Sequence, residues 1–484
     1  MKRKFISDLF KYLPSKIVPA IIAFASLPIY TNIFSPKQFG DYTFVLSLIT
    51  FLSTTVGWVN TSNVRYYPEY EKRGELFEYS SIVFKIALFS ISIFTFFYVI
   101  GVFLFRDFIQ KDLFSLMLIS IFYFIFLSFF TIMQNFLRVN DKISLYSLST
   151  IWRNVTSFAF GIILIFVFEI GIEGLLLGSI LSLFFFFPVL FKYSFKKIDF
   201  SIPVNFELLK TFLLYSLPLV ISNSFALLIK FSDRIFISYF LNNWELGIYS
   251  ANYQLADQSI MLITTLFLYV SHPLAIKNFV NNGVKKSQEF LKTTSSLYLL
   301  ISVPAIFGLS FLAKDISEVL FSSEYVNGFN IISFVSLGIF FYGLQQVFQL
   351  SFHFYGKTIY ITYSIVIAGI SNLLLNWILI PKLGLLGAAV STLVSYMLMT
   401  FYIIILSRKF FKWDFPFVVL FKSLIGSGVM LMFMWVFEFS ISFNNDYLFL
   451  FSRILLGTLV YFITIFLMKT FSLKDFKLAI NKNG

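Results

Sequence analysis

Fourteen apolar windows follow one another along this chain and leave only short polar segments between them. An apolar stretch of about 20 residues crosses the hydrocarbon core of a bilayer as one α-helix, because a helix satisfies its own backbone polar groups in lipid. The pattern predicts an all-α, polytopic membrane protein with about 14 transmembrane helices. The windows lie near residues 12–34, 40–60, 81–105, 113–136, 144–168, 172–193, 209–240, 245–273, 293–313, 329–353, 358–380, 384–406, 416–438 and 447–469.

Composition favours lipid over water as the surroundings of this chain. Hydrophobic residues make up 58% of the 484 positions and charged residues only 13%, against roughly 25% charged residues in soluble proteins. The net charge of +13 would suit nucleic acid, but the basic residues lie in short loops between apolar windows. Such loops anchor a chain at an anionic lipid surface. We therefore expect membrane lipids as partners and no nucleic acid.

Metal and cofactor chemistry is not expected. The chain has no Cys and two His, His272 and His353, and metal centres in proteins are built mainly from these side chains and carboxylates. Neither histidine is expected to meet a second ligand. The sequence predicts no metal, no cofactor and no catalytic residue, with H⁺ or Na⁺ as candidate coupling ions.

Loop charge predicts the orientation of the chain. Of the 37 Lys and Arg residues, 28 lie on the side of the N-terminus and six on the other side. Cytoplasmic loops keep the excess of positive charge during insertion. A multi-pass protein with both termini in the cytoplasm follows.

The two halves of the chain resemble each other, which predicts a parallel internal repeat. The segment 39–42 (FGDY) recurs 207 residues later as 246–249 (LGIY), and Gly171 with Gly174 corresponds to Gly384 with Gly387. Repeats of six spans share one orientation and are related by an axis along the membrane normal. We expect a six-helix lobe over residues 1–203, a second over 204–410, and two further helices with a cytoplasmic tail over 411–484.

Three segments, taken in order, resemble a known transporter family. They are 36–42 (PKQFGDY), 232–234 (SDR) leading to 247–251 (GIYSA), and 384–389 (GLLGAA). The chain is thereby similar to the polysaccharide transport family of Wzx-type O-antigen and capsule flippases, within the multidrug/oligosaccharidyl-lipid/polysaccharide exporter superfamily. The two additional C-terminal helices resemble those of the lipid II flippases of that superfamily.

The resemblance implies a function in surface polysaccharide biosynthesis. A Wzx-type flippase turns an undecaprenyl-pyrophosphate-linked oligosaccharide, such as a lipopolysaccharide O-antigen unit, across the bacterial cytoplasmic (inner) membrane by alternating access. Polysaccharide assembly enzymes are then candidate partners. Alternatives are a lipid II-type flippase, a multidrug antiporter, and a membrane-bound polysaccharide polymerase or acyltransferase. The short external loops and the repeat argue against an enzyme.

Charged residues inside spans are the candidate site, because burying charge in lipid is costly without a role. Arg234, Arg153 and Lys230 have the chemistry to hold a pyrophosphate in a cationic cavity. Lys230 and Arg234 are also spaced to share a helix face and to neutralise Asp233, which is a purely structural alternative.

Asp257, in the middle of the eighth span, is the main candidate for coupling H⁺ or Na⁺, and Asp233 is a second. The alternative for Asp257 is a static pair with Lys230 or Arg234.

Near the cytoplasmic ends of spans, Arg65, Lys16 and Lys85 are candidates for capturing the headgroup. Ordinary anchoring by positive charge is the alternative for all three.

Overall fold

The computed structural model describes residues 14–195, 198–204, 206–440 and 445–470, and these residues form α-helices without any β-strand. The predicted all-α fold is confirmed. The basic tail predicted after residue 470 lies outside the described residues. The helices up to residue 240 are α1 (Pro14–Ile33), α2 (Pro36–Val56), α3 (Trp58–Arg73), α4 (Leu76–Leu104), α5 (Lys111–Val139), α6 (Ile143–Phe166), α7 (Glu173–Ser194) and α8 (Phe206–Phe240).

Nine further helices complete the described chain. The longest of them, α9, has 69 residues. These helices are α9 (Asn243–Phe311), α10 (Ala313–Leu320), α11 (Ser323–Val326), α12 (Phe329–Phe348), α13 (Leu350–Phe354), α14 (Ile359–Leu383), α15 (Leu385–Phe410), α16 (Phe417–Ser440) and α17 (Asp446–Leu467).

Thirteen helical segments of the described residues are long and apolar enough to cross a membrane. One of them, α9, is two helices in sequence, because Gly283 adopts φ 76° and ψ −170° and breaks the helical path. Only glycine adopts such a conformation readily. Each arm exceeds the roughly 20 residues that a span needs. Counting the arms separately gives the 14 spans that the sequence predicts.

The start of α2 is fixed by local sequence. Ser35 caps the helix: its side chain accepts a hydrogen bond from the backbone N–H of Gln38, and the Gln38 side chain accepts one from the Ser35 backbone. Pro36 occupies the first helical position, where its missing N–H costs nothing. This capping box places the residues that follow, including Gly40, at a defined height near the helix end.

The described chain divides into two compact units, Met1–Ser250 and Ala251–Gly484. The first unit has a continuous apolar core centred on α5, where Phe124, Phe130 and Phe136 are fully buried. The lobe boundaries predicted at residues 203 and 410 rest on the sequence repeat and stay predictions.

Helix hairpins at equivalent places of the repeat depend on glycine. In the first unit a Cβ at Gly178 would overlap the backbone of Gly161, so α6 and α7 approach closely. In the second unit a Cβ at Gly387 would overlap the backbone of Leu379, which brings α14 against α15. Small residues let helix backbones pack closely where the lipid supplies no hydrophobic drive between them.

Candidate functional site

Lys230 and Arg234 lie one turn apart on α8, inside a spanning helix. Arg234 is only 4% exposed, and its Nη1 donates a 2.8 Å hydrogen bond to the carbonyl oxygen of Lys230. The guanidinium carbon lies 5.1 Å from the centre of the Phe231 ring. A buried cation in an apolar helix marks a candidate site for an anion, because lipid alone would exclude it.

Asp233 is fully buried and accepts a hydrogen bond from the hydroxyl of Tyr249. Tyr249 is equally buried and lies in the first turns of α9. The bond therefore joins α8 to α9 across the short turn between them. This contact supports a structural role for Asp233, and its coupling role stays a prediction.

Arg153 is on α6 and belongs to a different group of helices. It is half-buried, its guanidinium carbon lies 5.9 Å from the centre of the Phe130 ring on α5, and Ser182 on α7 donates a hydrogen bond to its backbone carbonyl. The charge of Arg153 also acts on the Tyr123 hydroxyl. Arg153 thus faces α5, whereas Lys230 and Arg234 are grouped on α8.

Asp257 lies in the first arm of α9, within the second unit, and is 9% exposed. Tyr342 on α12 lies near this carboxylate. Tyr342 in turn contacts Tyr396 of α15, with ring centres 5.5 Å apart. The ion-coupling role of Asp257 stays a prediction.

The three headgroup-capture candidates have different surroundings. Lys85 is half-buried and its Nζ donates to the backbone carbonyls of Phe200 and Ile202, which fastens the segment between α7 and α8. Arg65 is exposed and forms an ion pair with Glu69, one turn along α3. Lys16 is half-buried near the start of α1. Of the three, Arg65 is the most accessible to a headgroup arriving from solvent.

The two histidines contact each other, so the expectation that each lies alone is wrong. His272 on α9 and His353 on α13 have ring centres 4.9 Å apart at an interplanar angle of 72°. No sequence signal indicated this pair, because hydrophobic periodicity places residues on helices without saying which helices meet.

A reciprocal contact between the two halves of the repeat was missed as a functional candidate. A Cβ at Gly40 would overlap the carbonyl oxygen of Asn243, and one at Gly247 would overlap that of Pro36. Gly247 follows Gly40 by 207 residues, and Asn243 follows Pro36 by the same number. The two segments therefore meet through equivalent positions, and the 207-residue repeat was the signal that could have revealed this contact.

Hydrogen bonds reinforce this contact, which we call the glycine contact (Pro36, Gly40, Asn243 and Gly247). Thr43 donates a 3.0 Å hydrogen bond to Ser250, its own counterpart in the repeat. Asn243 also donates to the carboxylate of Asp41, which is 2% exposed. The glycine contact thus combines close backbone packing with buried polar bonds.

Arg453, which the sequence analysis did not single out, is buried on α17. It is 2% exposed and forms ion pairs with Asp315 on α10 at 2.7 Å and with Glu438 on α16 at 2.8 Å. The rings of Phe311 and Phe449 lie 5.5 and 5.3 Å from its guanidinium carbon. We call this group the arginine cluster (Arg453, Asp315 and Glu438); it fastens the last two helices to α10.

Each unit contains an apolar cavity among its described residues. The cavity of the first unit has about 890 Å³, is walled by aromatic side chains such as Phe44, Phe94 and Tyr98, and ends beside Asn243 of the glycine contact. The cavity of the second unit has about 360 Å³ and lies between α9, α16 and α17. Apolar walls with few polar groups suit hydrocarbon chains.

Comparison with known proteins identifies the relatives of this chain. A family model described as "Polysaccharide biosynthesis protein" matches residues 6–279, which is more than half of the sequence. An uncharacterised membrane protein of Methanocaldococcus jannaschii is 22% identical over 425 residues, covering 82% of this chain and 83% of its own.

Solved structures of transporters have the same fold. The lipid II flippase MurJ in an inward closed conformation matches with a TM-score of 0.74, at 21% identity over 95% of this chain and 98% of its own. An inward-facing multidrug resistance MATE family transporter of the MOP superfamily matches with a TM-score of 0.69, at 10% identity over 82% and 97%. A MOP superfamily transporter of Pyrococcus furiosus matches with a TM-score of 0.60, at 13% identity over 83% and 95%. The expected transporter fold is confirmed.

Proposed function

Because this chain belongs to the polysaccharide biosynthesis protein family, we propose that it flips a polyprenyl-pyrophosphate-linked oligosaccharide across the cytoplasmic membrane of a bacterium. The cargo would be an O-antigen unit, a capsule unit or a related repeat unit on undecaprenyl pyrophosphate. The observation that carries the proposal is Arg234, a guanidinium only 4% exposed within a spanning helix. A guanidinium fork matches phosphate oxygens in geometry as well as charge. Lys230 and Arg153 are the proposed additional cations.

The proposed mechanism moves the cargo without covalent chemistry. Alternating access requires a contact that forms and breaks while the bound substrate stays in place. The glycine contact is the proposed moving contact, because Gly40 and Gly247 let helix ends approach closely and only a few polar side chains bond across it. We assign Asp257 as the main ion-coupling residue, with H⁺ or Na⁺ as the ion.

The proposed orientation puts both termini in the cytoplasm, because most Lys and Arg residues lie in loops on the side of the N-terminus. The chain has no native Cys, so single cysteines at exposed turns report sidedness directly. We expect Lys382→Cys to react with a membrane-impermeant maleimide in intact cells. Lys357→Cys should react only after lysis. The reverse pattern would invert the orientation.

The test of the flippase proposal is complementation of a panel of bacteria that each lack one polysaccharide flippase. Wild-type chain should restore surface polysaccharide in a strain with a matching glycan. Arg234→Ala should lower it at least about tenfold and trap lipid-linked precursor inside, since about 1.4 kcal/mol of lost binding is one factor of ten. Arg234→Lys keeps the charge without the fork and should be intermediate.

The matched control is Arg408→Ala, which removes an exposed arginine from the last turn of α15. Polysaccharide at the wild-type level is expected for this variant. Full activity of Arg234→Ala would remove Arg234 from the site.

A lipid II-type flippase is the second candidate function, favoured by the match to MurJ over nearly the full length of both chains. Growth rescue of a strain depleted of its lipid II flippase would favour this candidate. Rescue of surface polysaccharide without growth rescue would favour the oligosaccharide flippase.

A further inference from the structure

The histidine pair is the feature from which we infer a further site. His272 and His353 are the only two histidines among 484 residues. Their rings meet edge to face, 4.9 Å between centres, and join α9 to α13 within one compact unit. Histidine is the side chain whose charge ordinarily changes near neutral pH.

The surroundings of the pair are aromatic and apolar. Phe279 on α9 stacks on Phe354 of α13 with ring centres 4.6 Å apart, and Phe411 contacts both rings. Buried Ala275 and Leu350 belong to the same cluster. Both histidines are half-buried, so part of each ring stays accessible while the contact between the helices persists.

Charged residues of the segments that adjoin the pair are exposed. The described residues contain no group of three or more metal-ligating His, Cys, Asp or Glu side chains, and a divalent ion here would have no carboxylate partner. A proton suits the pair better than a metal ion. The charged residues of segments 277–292 and 408–414, together with Lys357, are all exposed: Lys277, Lys285, Lys286, Glu289, Lys292, Lys357, Arg408, Lys409, Lys412 and Asp414.

We propose that His272 and His353 form a proton-binding site that links protonation to the contact between α9 and α13. With one proton, the charged imidazole donates to the neutral one and strengthens the contact. With two protons, like charges about 5 Å apart repel each other in apolar surroundings. Two protons therefore bind better when the helices separate, and by linkage acidification favours separation. The proton site itself does not depend on the proposed function. The inference rests on that function only where it assigns the separation of α9 from α13 to the transport cycle.

The closing experiment is NMR of the full-length chain, labelled with ¹⁵N-histidine and purified without a histidine tag. Two sets of imidazole ¹⁵N signals are expected, one from each histidine. The signals should titrate in two coupled steps separated by about one pH unit or more. In His272→Gln, His353 should titrate in one step, and in His353→Gln, His272 should do the same.

Two independent one-step titrations in the wild type, unchanged by either glutamine substitution, would overturn the inference. The glutamine variants should also flatten the pH profile of flipping in reconstituted vesicles. Coupled titration in a chain that flips no tested glycan would leave the proton site standing and count against the flippase function. Flipping by a chain whose histidines titrate independently would support the flippase function and overturn the proton site.

Discussion

The glycine contact and the arginine cluster fasten helices by opposite means. At the glycine contact, Gly40 and Gly247 lack the atoms that would hold two backbones apart. At the arginine cluster, a guanidinium with 2% exposure is held by carboxylates of two other helices. The glycine contact depends mainly on close backbone packing, with polar bonds added, and the arginine cluster depends on opposite charges.

This difference follows the organisation of the sequence. The glycine contact joins positions that correspond in the two repeated segments, so each segment contributes the same two positions to it. The arginine cluster attaches α16 and α17, which the sequence analysis places beyond both predicted repeats. A contact of small residues can part and re-form, whereas breaking a buried ion pair leaves an uncompensated charge. We therefore expect the first contact to move during transport and the second to stay closed.

The strongest test of this comparison is Gly247→Leu. The new side chain would meet the Pro36 backbone, and overpacking of this kind costs about 1–3 kcal/mol. We expect the contact to open, so that a cysteine at Ser250 reacts at least about ten times faster with a maleimide, since 1.4 kcal/mol is one factor of ten. Gly428→Leu is the matched control, because nothing lies within 4 Å of a Cβ there. Equal labelling of Gly247→Leu and wild type would contradict the prediction.

Arg453→Met should have the next largest effect, on stability. It leaves Asp315 and Glu438 without their shared cation, and about 1–3 kcal/mol of unfolding free energy should be lost, because both carboxylates are partly exposed. Denaturant unfolding in detergent measures the loss. Arg106→Met, at an exposed arginine, should change little. Loss of transport by Arg453→Met at unchanged stability would show that the arginine cluster also moves.

A double-mutant cycle of Thr43→Val and Ser250→Ala isolates the polar part of the glycine contact. Each single change breaks the 3.0 Å hydrogen bond and should cost about 0.5–1.5 kcal/mol. The double variant should cost less than the sum of the single changes, because the bond can be lost only once. Strict additivity would show that the two hydroxyls contribute separately.

Asp315→Asn should have the smallest effect, with a sign set by pH. Burial raises the pKa of the Asp315 carboxyl above its usual value, although Arg453 opposes the change. The folded chain then holds this proton more tightly than the unfolded chain does. Asp315 therefore makes the free energy of unfolding fall as pH rises from the pKa of this carboxyl in the unfolded chain to its higher pKa in the folded chain. The asparagine variant should lose this slope and change stability by less than about 1 kcal/mol. An identical slope in both proteins would refute the assignment.

The elements were predictable because length and hydropathy alone fix a spanning helix. Contacts between side chains of different helices were not predictable, and Arg453 illustrates why. The apolar window 447–469 contains Arg453, and α17 begins at Asp446 and carries it two turns inside, but hydropathy does not say that Asp315 and Glu438 of other helices meet it. His272 and His353 were missed for a related reason, since each sits near a helix end in sequence and only packing brings α9 to α13. The glycine contact could have been predicted, because the residues that meet there correspond to each other at the 207-residue offset of the repeat.

The glycine contact also bears on ancestry. Gly40 meets Asn243 and Gly247 meets Pro36, which is the reciprocity that defines an isologous dimer interface. A six-helix ancestor pairing with a second copy would use one segment twice, and each substitution would act at both places. Fusion removes that restriction. Asp41 corresponds to Ile248 at the 207-residue offset, so one segment has a buried carboxylate where the other has a buried apolar side chain, an asymmetry that no dimer of identical halves can have.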